Sequence, residues 1–399
     1  MKQKVTWFLL LSTSLVLGSC SWFNNAADVY DESKVSSSEQ VSSTNNESSS
    51  VDASSSQSSS VAESEASDDT SESSSSEVAP ALAVTDYFPM KEGYQAVFAG
   101  DGNEFAGFTR TYDFIRDDFL TMRTATGGTT TLEVVAITPD RAEVLVTKPE
   151  TYSHEELTYD MITQTGEPTK TLIEGPIEVG HTWDSDGRQR EITGIDVPVE
   201  TTTGSYEALE VTEYGDDNER REYYAPDVGL IYVEDESMDP DATYLVTQML
   251  DQLSFEGWDE AITFYYPNGE NSFEQVTDTI QMTTNDTMAL KFTQLFQGGN
   301  SADQQLISKS VEINTIDVNG QGPGQGKTVY IDFNEYIREL ADDPHGKAKL
   351  DAMMASTQQY YNADDIQPTI EGEYMVIDGL VTLTAENPLY LVPEDVYPY

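Results

Sequence analysis

Residues 130–147 read TTLEVVAITPDRAEVLVT, and this stretch predicts the fold class of the larger part of the chain. Two runs rich in β-branched residues, 130–137 and 141–147, flank Thr138-Pro139-Asp140, whose residue types favour a turn. Two such runs joined by a short turn are typical of a β-hairpin. The sequence therefore predicts antiparallel strands here rather than alternating strands and helices.

The same pattern continues to about residue 252. Further runs of β-branched and aromatic residues recur at hairpin spacing, and Gly215-Asp216-Asp217-Asn218 separates two of them. The predicted strands cover residues 191–200, 206–214, 220–224, 230–233 and 243–249. Because no helical period intervenes, residues 85–257 are predicted to form one antiparallel β-rich domain of unknown function, curved or closed.

From Trp258 onward the pattern mixes strands with helices. Residues 261–266 and 273–282 predict strands, and Asn285 or Asp286 is predicted to cap a helix that ends at Gly298-Gly299. The apolar residues of this helix recur at helical spacing: Met288, Phe292, Leu295 and Phe296.

The rest of this region continues the mixture. Residues 311–318 and 327–333 predict a hairpin around a glycine-rich loop, and Tyr336 begins a helical turn. A second amphipathic helix carries Leu350, Met353, Met354, Thr357 and Tyr361. Residues 366–372 predict a strand, and Asp378-Gly379 lies between two more at the end of the chain. Residues 258–399 are therefore predicted to form an α+β domain.

This order of elements resembles the GerMN domain of sporulation and germination proteins. The residues that carry the resemblance are Ile262-Thr263-Phe264-Tyr265-Tyr266-Pro267, the helix from Ala289 to Gly298, Val329-Tyr330-Ile331-Asp332-Phe333 with Tyr336-Ile337, the helix through Thr357, and Ile370-Glu371-Gly372. The resemblance implies a cell-envelope domain without known catalysis, found in lipid-anchored proteins of Gram-positive bacteria. The chain has one copy and no internal repeat, so the ring assemblies of tandem relatives are not implied.

The amino terminus predicts an export signal with a lipid anchor. Lys2 and Lys4 precede an apolar run of 13 residues, 5–17, which is too short to cross a bilayer. Leu17-Gly18-Ser19-Cys20 resembles the lipobox of bacterial lipoproteins and contains the only cysteine. The resemblance implies a signal peptide of residues 1–19 and lipidation of Cys20, and two acyl chains would anchor the protein stably to the cell membrane, facing outward.

Residues 20–84 are predicted to be a disordered linker after the lipidated cysteine. Between Val35 and Glu77 the chain has 21 serines and no lysine, arginine or aromatic residue. Such a segment buries too little apolar surface to offset the entropy lost on ordering. It is expected to lift the folded part off the membrane.

The charge balance excludes one class of partner. The chain has 72 acidic residues against 20 lysines and arginines, a formal net charge of −52. Nucleic acids and anionic membrane surfaces need a basic footprint, so neither is an expected partner. Repulsion between the acids should be relieved by salt.

The known catalytic and metal-binding patterns do not fit. His154-Glu155-Glu156 lacks the second histidine of a zinc helix, and Asp184-Ser185-Asp186-Gly187 has its glycine two positions too early for a calcium loop. Gly322-Pro323-Gly324-Gln325-Gly326-Lys327-Thr328 ends like a phosphate loop but lacks its first glycine. The sequence thus predicts no catalytic residue, no metal site and no cofactor.

Three hypotheses for function follow. The leading hypothesis is a non-enzymatic, lipid-anchored protein of the cell envelope that acts in envelope assembly through contacts with proteins or peptidoglycan. The second is a surface lipoprotein that binds a solute or a wall fragment. The third is a wall hydrolase with a pair of carboxylates, which suffice for glycoside chemistry; no spacing favours a particular pair.

Overall fold

Twelve strands pair in one antiparallel sheet, which confirms the β-rich middle region that the sequence predicts. The computed structural model describes residues 82–156, 168–241, 243–269, 272–298, 304–320, 324 and 326–397. The strands are β1 (Gln95–Asp101), β2 (Phe108–Arg116), β3 (Phe119–Thr126), β4 (Thr130–Ile137), β5 (Arg141–Lys148), β6 (Lys170–Glu174), β7 (Thr182–Ser185), β8 (Arg188–Thr201), β9 (Gly204–Tyr214), β10 (Asn218–Ala225), β11 (Gly229–Ser237) and β12 (Leu245–Ser254). Their spatial order is β6-β5-β4-β3-β2-β1-β12-β11-β10-β9-β8-β7.

The two edge strands of this sheet, β6 and β7, meet through side chains. Ser185 Oγ accepts a hydrogen bond from Thr171 N and donates one to Thr171 O, both at 2.9 Å. Trp183 Nε1 donates to the same carbonyl at 3.1 Å. The sheet thus curls into a nearly closed barrel, and bulges in β1, β2, β4, β8 and β10 add to its twist.

The barrel interior is apolar with one buried arginine. The most deeply buried apolar residues include Val84, Tyr87, Tyr94, Ala96, Leu120, Ile173, Ile192, Leu209, Val211, Ile231 and Leu250. Arg190 is fully buried and pairs with Glu222 at 2.6 Å and with Glu213 at 3.1 Å. Burial alone would raise the pKa of Glu222, but Arg190 and Arg220 outweigh it and hold the pKa well below its usual range.

The remaining residues combine small sheets with helices, which confirms the mixed composition predicted after Trp258. The elements are β13 (Trp258–Pro267), β14 (Phe273–Met282), α1 (Met288–Phe296), β15 (Ile313–Asn319), β16 (Thr328–Phe333), a 3₁₀ helix (Glu335–Asp342), α2 (Gly346–Tyr360), β17 (Asp365–Ile370), β18 (Glu373–Tyr374), β19 (Val376–Ile377) and β20 (Val381–Thr382). Strands β13 and β14 form a hairpin, β15 to β18 form a second sheet, and β19 pairs with β20 around Asp378-Gly379 as predicted. In the second sheet β16 and β17 are parallel.

Helix α1 begins later than the sequence predicts. Thr287 is its N-cap, and the Thr287 side chain accepts a hydrogen bond from Leu290 N. Asn285, at φ +68°, and Asp286 make other contacts, described below, so the prediction that one of them is the cap is wrong. The predicted apolar stripe of the helix is buried, and Gly298 follows its end with φ +81°.

No helix in the described part of the chain is long and apolar enough to span a membrane. The predicted signal peptide, Leu17, Gly18, Ser19 and Cys20, and nearly all of the linker lie outside the described residues. The domain boundary between residues 257 and 258 stays a prediction.

Candidate functional site

A cleft of about 430 Å³ lies where the outer face of the barrel meets β13 and α2. We call it the junction cleft. It is lined by residues of β1 to β4, most of them polar, by the consecutive residues 258–263 of β13 and by the end of α2, and its aromatic residues include Tyr152, Trp258 and Tyr360. Its volume falls in the range of about 300–1,000 Å³ that is usual for small-ligand sites.

Arg123 of β3 lies at the floor of the junction cleft and holds two carboxylates. Its Nε lies 2.9 Å from Asp113 Oδ2, and its Nη2 lies 2.9 Å from Glu260 Oε2. The Tyr360 hydroxyl donates to the other oxygen of Glu260, and Trp258 Nε1 reaches Glu260 Oε2 at 3.4 Å. One arginine therefore joins the barrel to β13, and through Glu260 to α2.

These charges are fixed by their surroundings. Burial by itself would raise the pKa of Asp113 and of Glu260, but the Arg123 guanidinium outweighs it and holds both below their usual values. Burial, as the largest cause, and the charge of Glu260, as the second, raise the pKa of Tyr360 well above its usual range. At neutral pH both carboxylates are ionised and Tyr360 is a neutral donor.

His154 lies beneath the cleft and is only 1% exposed. Its Nε2 is 2.9 Å from the carbonyl oxygen of Asp286, and its Nδ1 is 3.3 Å from Asp113 Oδ2. Its backbone N–H donates to Tyr360 Oη at 2.9 Å. Both ring nitrogens face oxygens of the protein, so His154 ties the barrel to the α+β region.

Glu155 forms a second buried link beside His154. Its carboxylate pairs with Lys148 of the barrel at 2.6 Å and with Lys327, which directly precedes β16, at 2.9 Å. Burial would raise the pKa of Glu155, but the two lysines hold it below its usual value. Both cations of this cluster are thus already paired with a carboxylate.

Backbone groups complete the junction. Thr284 Oγ1 donates to the carbonyl of Tyr112 at 2.7 Å, and Asn285 N donates to the carbonyl of Asp113 at 2.9 Å. The Asn285 side chain in turn accepts from Ile115 N at 3.0 Å. The segment before α1 therefore docks on β2, which explains why Asn285 is not free to cap the helix.

The acidic motif 184–187 is a hairpin turn. Strand β7 ends at Ser185, β8 begins at Arg188, and Asp186 and Gly187 between them have φ of +51° and +74°. Positive φ at both central residues is the signature of a tight hairpin turn. Among the described residues no group of three or more histidines, cysteines or acids is placed to hold a metal ion.

The phosphate-loop-like stretch binds a carboxylate of its own chain. The amide of Gly324 donates to Asp364 Oδ1 at 2.7 Å, and the amides of Gly326 and Lys327 donate to Asp364 Oδ2 at 2.8 and 3.1 Å. These three amides are therefore occupied by Asp364, and the Lys327 ammonium is occupied by Glu155.

A second, smaller cleft of about 180 Å³ lies on the other side of His154. Glu156 and Asp317 line it, and burial, followed by the charge of Glu156, raises the pKa of Asp317. Glu156 is paired with Arg116. The volume is below the usual range for ligand sites, so this cleft is a weaker candidate for binding or catalysis.

No sequence motif contains Arg123, Asp113, Glu260 or Tyr360. One signal was available: cations are scarce in this chain, with 20 lysines and arginines against 72 acids, so a cation inside an apolar run is expected to be buried with several carboxylates. Arg123 follows Leu120 and Met122 in that way.

Comparison with known proteins adds little to this description. No protein-family model and no curated protein matches the chain. Two solved structures are similar over 42% of this chain and 98% of their own: a protein of Bacteroides fragilis considered to be exported, with a YmcC-like fold, and a protein of Parabacteroides distasonis considered to be a lipoprotein. Each is 12% identical with a TM-score of 0.27, a likeness too low to carry an argument about function or location.

Proposed function

We propose that this protein is a lipid-anchored, extracytoplasmic and non-enzymatic binding protein of the cell envelope, and that its ligand, a segment of an envelope protein or of peptidoglycan, occupies the junction cleft. The export signal and Cys20 support the location, since a short apolar run ending in Leu17-Gly18-Ser19-Cys20 is typical of lipid-anchored proteins. We propose further that residues 258–399 are a GerMN-like domain, on the resemblance given above.

The observation that carries the proposal is the chemistry of the junction cleft. A cavity of ligand size is lined by exposed aromatic surface at Tyr152 and by polar side chains such as Gln95 and Thr109, over a floor of already paired charges. Apolar and aromatic walls with a few placed polar groups are the usual composition of a binding site. A rigid floor favours recognition because it needs no rearrangement when a ligand enters.

The wall-hydrolase hypothesis is less well supported by the same cleft. A glycosidase needs one carboxylic acid that stays protonated to donate to the leaving group. Glu260 is held ionised by Arg123, and Trp258 and Tyr360 donate to it as well. Its carboxylate is therefore suited to fixing structure and orienting neighbours rather than to giving up a proton.

A site-specific photo-crosslinker tests the proposal. Tyr152 lines the cleft and is 57% exposed, whereas Tyr244 lies outside the cleft and is 47% exposed. Replacing each in turn by a photoreactive phenylalanine analogue and irradiating intact cells should join envelope protein or wall material to position 152 and not to position 244.

Equal crosslinking from the two positions, or none from position 152, would contradict the proposal. A thermal-shift series with purified full-length protein separates the two kinds of ligand. Soluble muropeptides should raise the midpoint of thermal unfolding if the ligand is a wall fragment. A crosslinked envelope protein, together with no change of the midpoint on adding muropeptides, would favour a protein partner.

A further inference from the structure

The hydrogen bonds of β13 show which way its backbone groups point. Tyr265 N donates to Ser356 Oγ of α2 at 2.9 Å, so the N–H of Tyr265 points away from β14. The register between β13 and β14 is unbroken from Trp258 to Pro267, and backbone groups alternate in direction along a strand. The odd-numbered residues of β13 therefore direct their N–H and C=O groups away from β14.

Strand β14 gives independent support for this direction. Thr279 pairs with Ala261, and Thr279 N donates to the side chain of Asp278 at 2.8 Å instead of to β13. The pair Ala261–Thr279 is thus a non-hydrogen-bonded pair, as the alternation requires.

The outer edge of β13 is covered at both ends and open between them. At one end Gly257 N donates to the carbonyl of Gly93 at 3.0 Å, and at the other end Ser356 covers Tyr265. Between these points Asp259, Ala261 and Thr263 line the junction cleft. Within the described residues, their outward backbone groups make no hydrogen bond.

We propose that an extended, positively charged peptide segment of a partner binds in the junction cleft as an added strand on β13, pairing with the backbone of Asp259, Ala261 and Thr263. This inference rests on the proposed function and names the partner class for the same cleft. An unpaired strand edge is a template for another chain, and β-strand addition derives its affinity from main-chain hydrogen bonds.

The charge of the partner follows from the groups around the edge. Asp259 is exposed beside the open backbone groups, whereas the cation of the cleft, Arg123, is already paired with Asp113 and Glu260. The chain as a whole carries a net charge of −52, which attracts cations and repels acidic segments. No proline, lysine or bulge interrupts β13 between Trp258 and Tyr266.

The first test uses the purified full-length protein and a defined probe, the blocked peptide acetyl-Lys-Val-Lys-Val-Lys-Val-amide. Binding is measured by isothermal titration calorimetry at low salt, and the same peptide with glutamate in place of lysine serves as the charge control. Two further peptides carry N-methyl groups on one or the other set of alternate residues.

Strand addition uses only one set of peptide amides, since the other set faces away from β13. One methylated isomer should bind at least about tenfold more weakly than the parent, and the other should bind within about twofold of it. Equal loss from both isomers, or no binding of the lysine peptide at all, would overturn the inference.

The second test acts on the protein. Ala261→Pro removes an outward N–H that the fold does not use, and proline is tolerated on such an edge. Thr279→Pro is the matched control, since its N–H faces outward on the opposite side of the hairpin. We expect about tenfold weaker binding for the first variant and unchanged binding for the second.

A third variant, Asp259→Lys, leaves the backbone hydrogen-bonding groups intact. It should weaken binding of the lysine peptide by about the same factor, and the remaining affinity should depend less on salt concentration. Unchanged affinity in both Ala261→Pro and Asp259→Lys would overturn the inference.

The failures of the two proposals are distinguishable. If position 152 still crosslinks to envelope material in Ala261→Pro cells while the lysine peptide never binds, the cleft is a binding site but not a site of strand addition. If position 152 crosslinks to nothing, the proposed function itself fails. A dimer seen by light scattering and lost in Ala261→Pro would make a second copy of this chain the occupant of the edge, against the inference.

Discussion

Arg123 on the barrel and Glu260 on β13 form a buried ion pair, with Arg123 Nη2 2.9 Å from Glu260 Oε2 and side chains 10% and 12% exposed. Because Glu260 also accepts from Tyr360, a single carboxylate joins three elements that are far apart in the chain. The floor of the junction cleft is thus at the same time a polar contact between the barrel and the α+β region.

Removing one partner of this pair should destabilise the protein strongly. Glu260→Ala leaves the Arg123 guanidinium short of a carboxylate, and breaking a buried pair costs about 3–5 kcal/mol of unfolding free energy. Glu143→Ala, which removes a half-exposed pair with Arg141 at 3.5 Å, should cost less than about 1 kcal/mol. Urea unfolding of both variants measures the difference, and similar losses would show that the Arg123 pair has no special role.

Glu222 in the barrel should make stability depend on pH in a defined direction. The pKa of Glu222 is lower in the folded protein than in the unfolded chain. Its contribution to stability is therefore fully present above the ordinary glutamate pKa of about 4.3 and is lost as pH falls through the folded pKa. We expect Glu222→Gln to be less stable than the wild type by about 2–4 kcal/mol at pH 7, with the gap closing below about pH 4.

The measurement is the free energy of unfolding of both proteins from pH 7 to pH 3. Comparing the two at each pH removes the trend caused by the large net charge, which both proteins share. A gap that stays constant down to pH 3 would contradict the role given to the Glu222 carboxylate.

The contact between β6 and β7 depends on one hydroxyl. Ser185→Ala leaves the half-buried amide and carbonyl of Thr171 with one partner fewer each, at a cost of about 1–3 kcal/mol. The Ser205 hydroxyl donates to the exposed Glu200. The Ser205→Ala variant should therefore have an unfolding free energy within about 0.5 kcal/mol of the wild type. Hydrogen exchange should show faster exchange confined to β6 and β7 in the first variant, and equal exchange in the two variants would refute this account of barrel closure.

The lipid anchor can be tested without the structure. Cys20→Ala should accumulate as an unlipidated precursor, because the thiol that would accept the lipid is gone, and labelling with a fatty-acid analogue followed by gel analysis detects this. Ser19→Ala, which keeps a small residue before the cysteine, should be processed as the wild type is. Mature, lipid-labelled protein from the Cys20→Ala variant would disprove the assignment.

The strands predicted from sequence are those with runs of β-branched and aromatic residues. β4 has the predicted bounds, and β9 to β12 lie within a few residues of them, because runs of this composition lie between turn signals. Strands β1, β2, β3, β6 and β7 were not predicted. In β2 and β3 the outer face is also buried at the junction, so polar residues such as Asp113 and Arg123 occupy positions that sequence patterns assign to the solvent.

The candidate site was beyond sequence analysis for a related reason. His154, Glu260 and Tyr360 are each ordinary in their own segment, and although the scarcity of cations marks Arg123, only the fold brings the four within hydrogen-bond distance of one another. The GerMN resemblance, the domain boundary and lipidation of Cys20 stay predictions.

Local periodicity and turn chemistry were enough to predict an antiparallel β-rich region followed by an α+β region, because both depend on residues close together in the chain. Three other features depend on residues separated by more than ten positions in the chain. They are the closure of the barrel by Ser185, the pairing of Arg123 with Glu260 and the open strand edge at Ala261. Those contacts were decided by tertiary packing, since burial and partners, not residue type, determine whether a charge is fixed or a strand edge stays open.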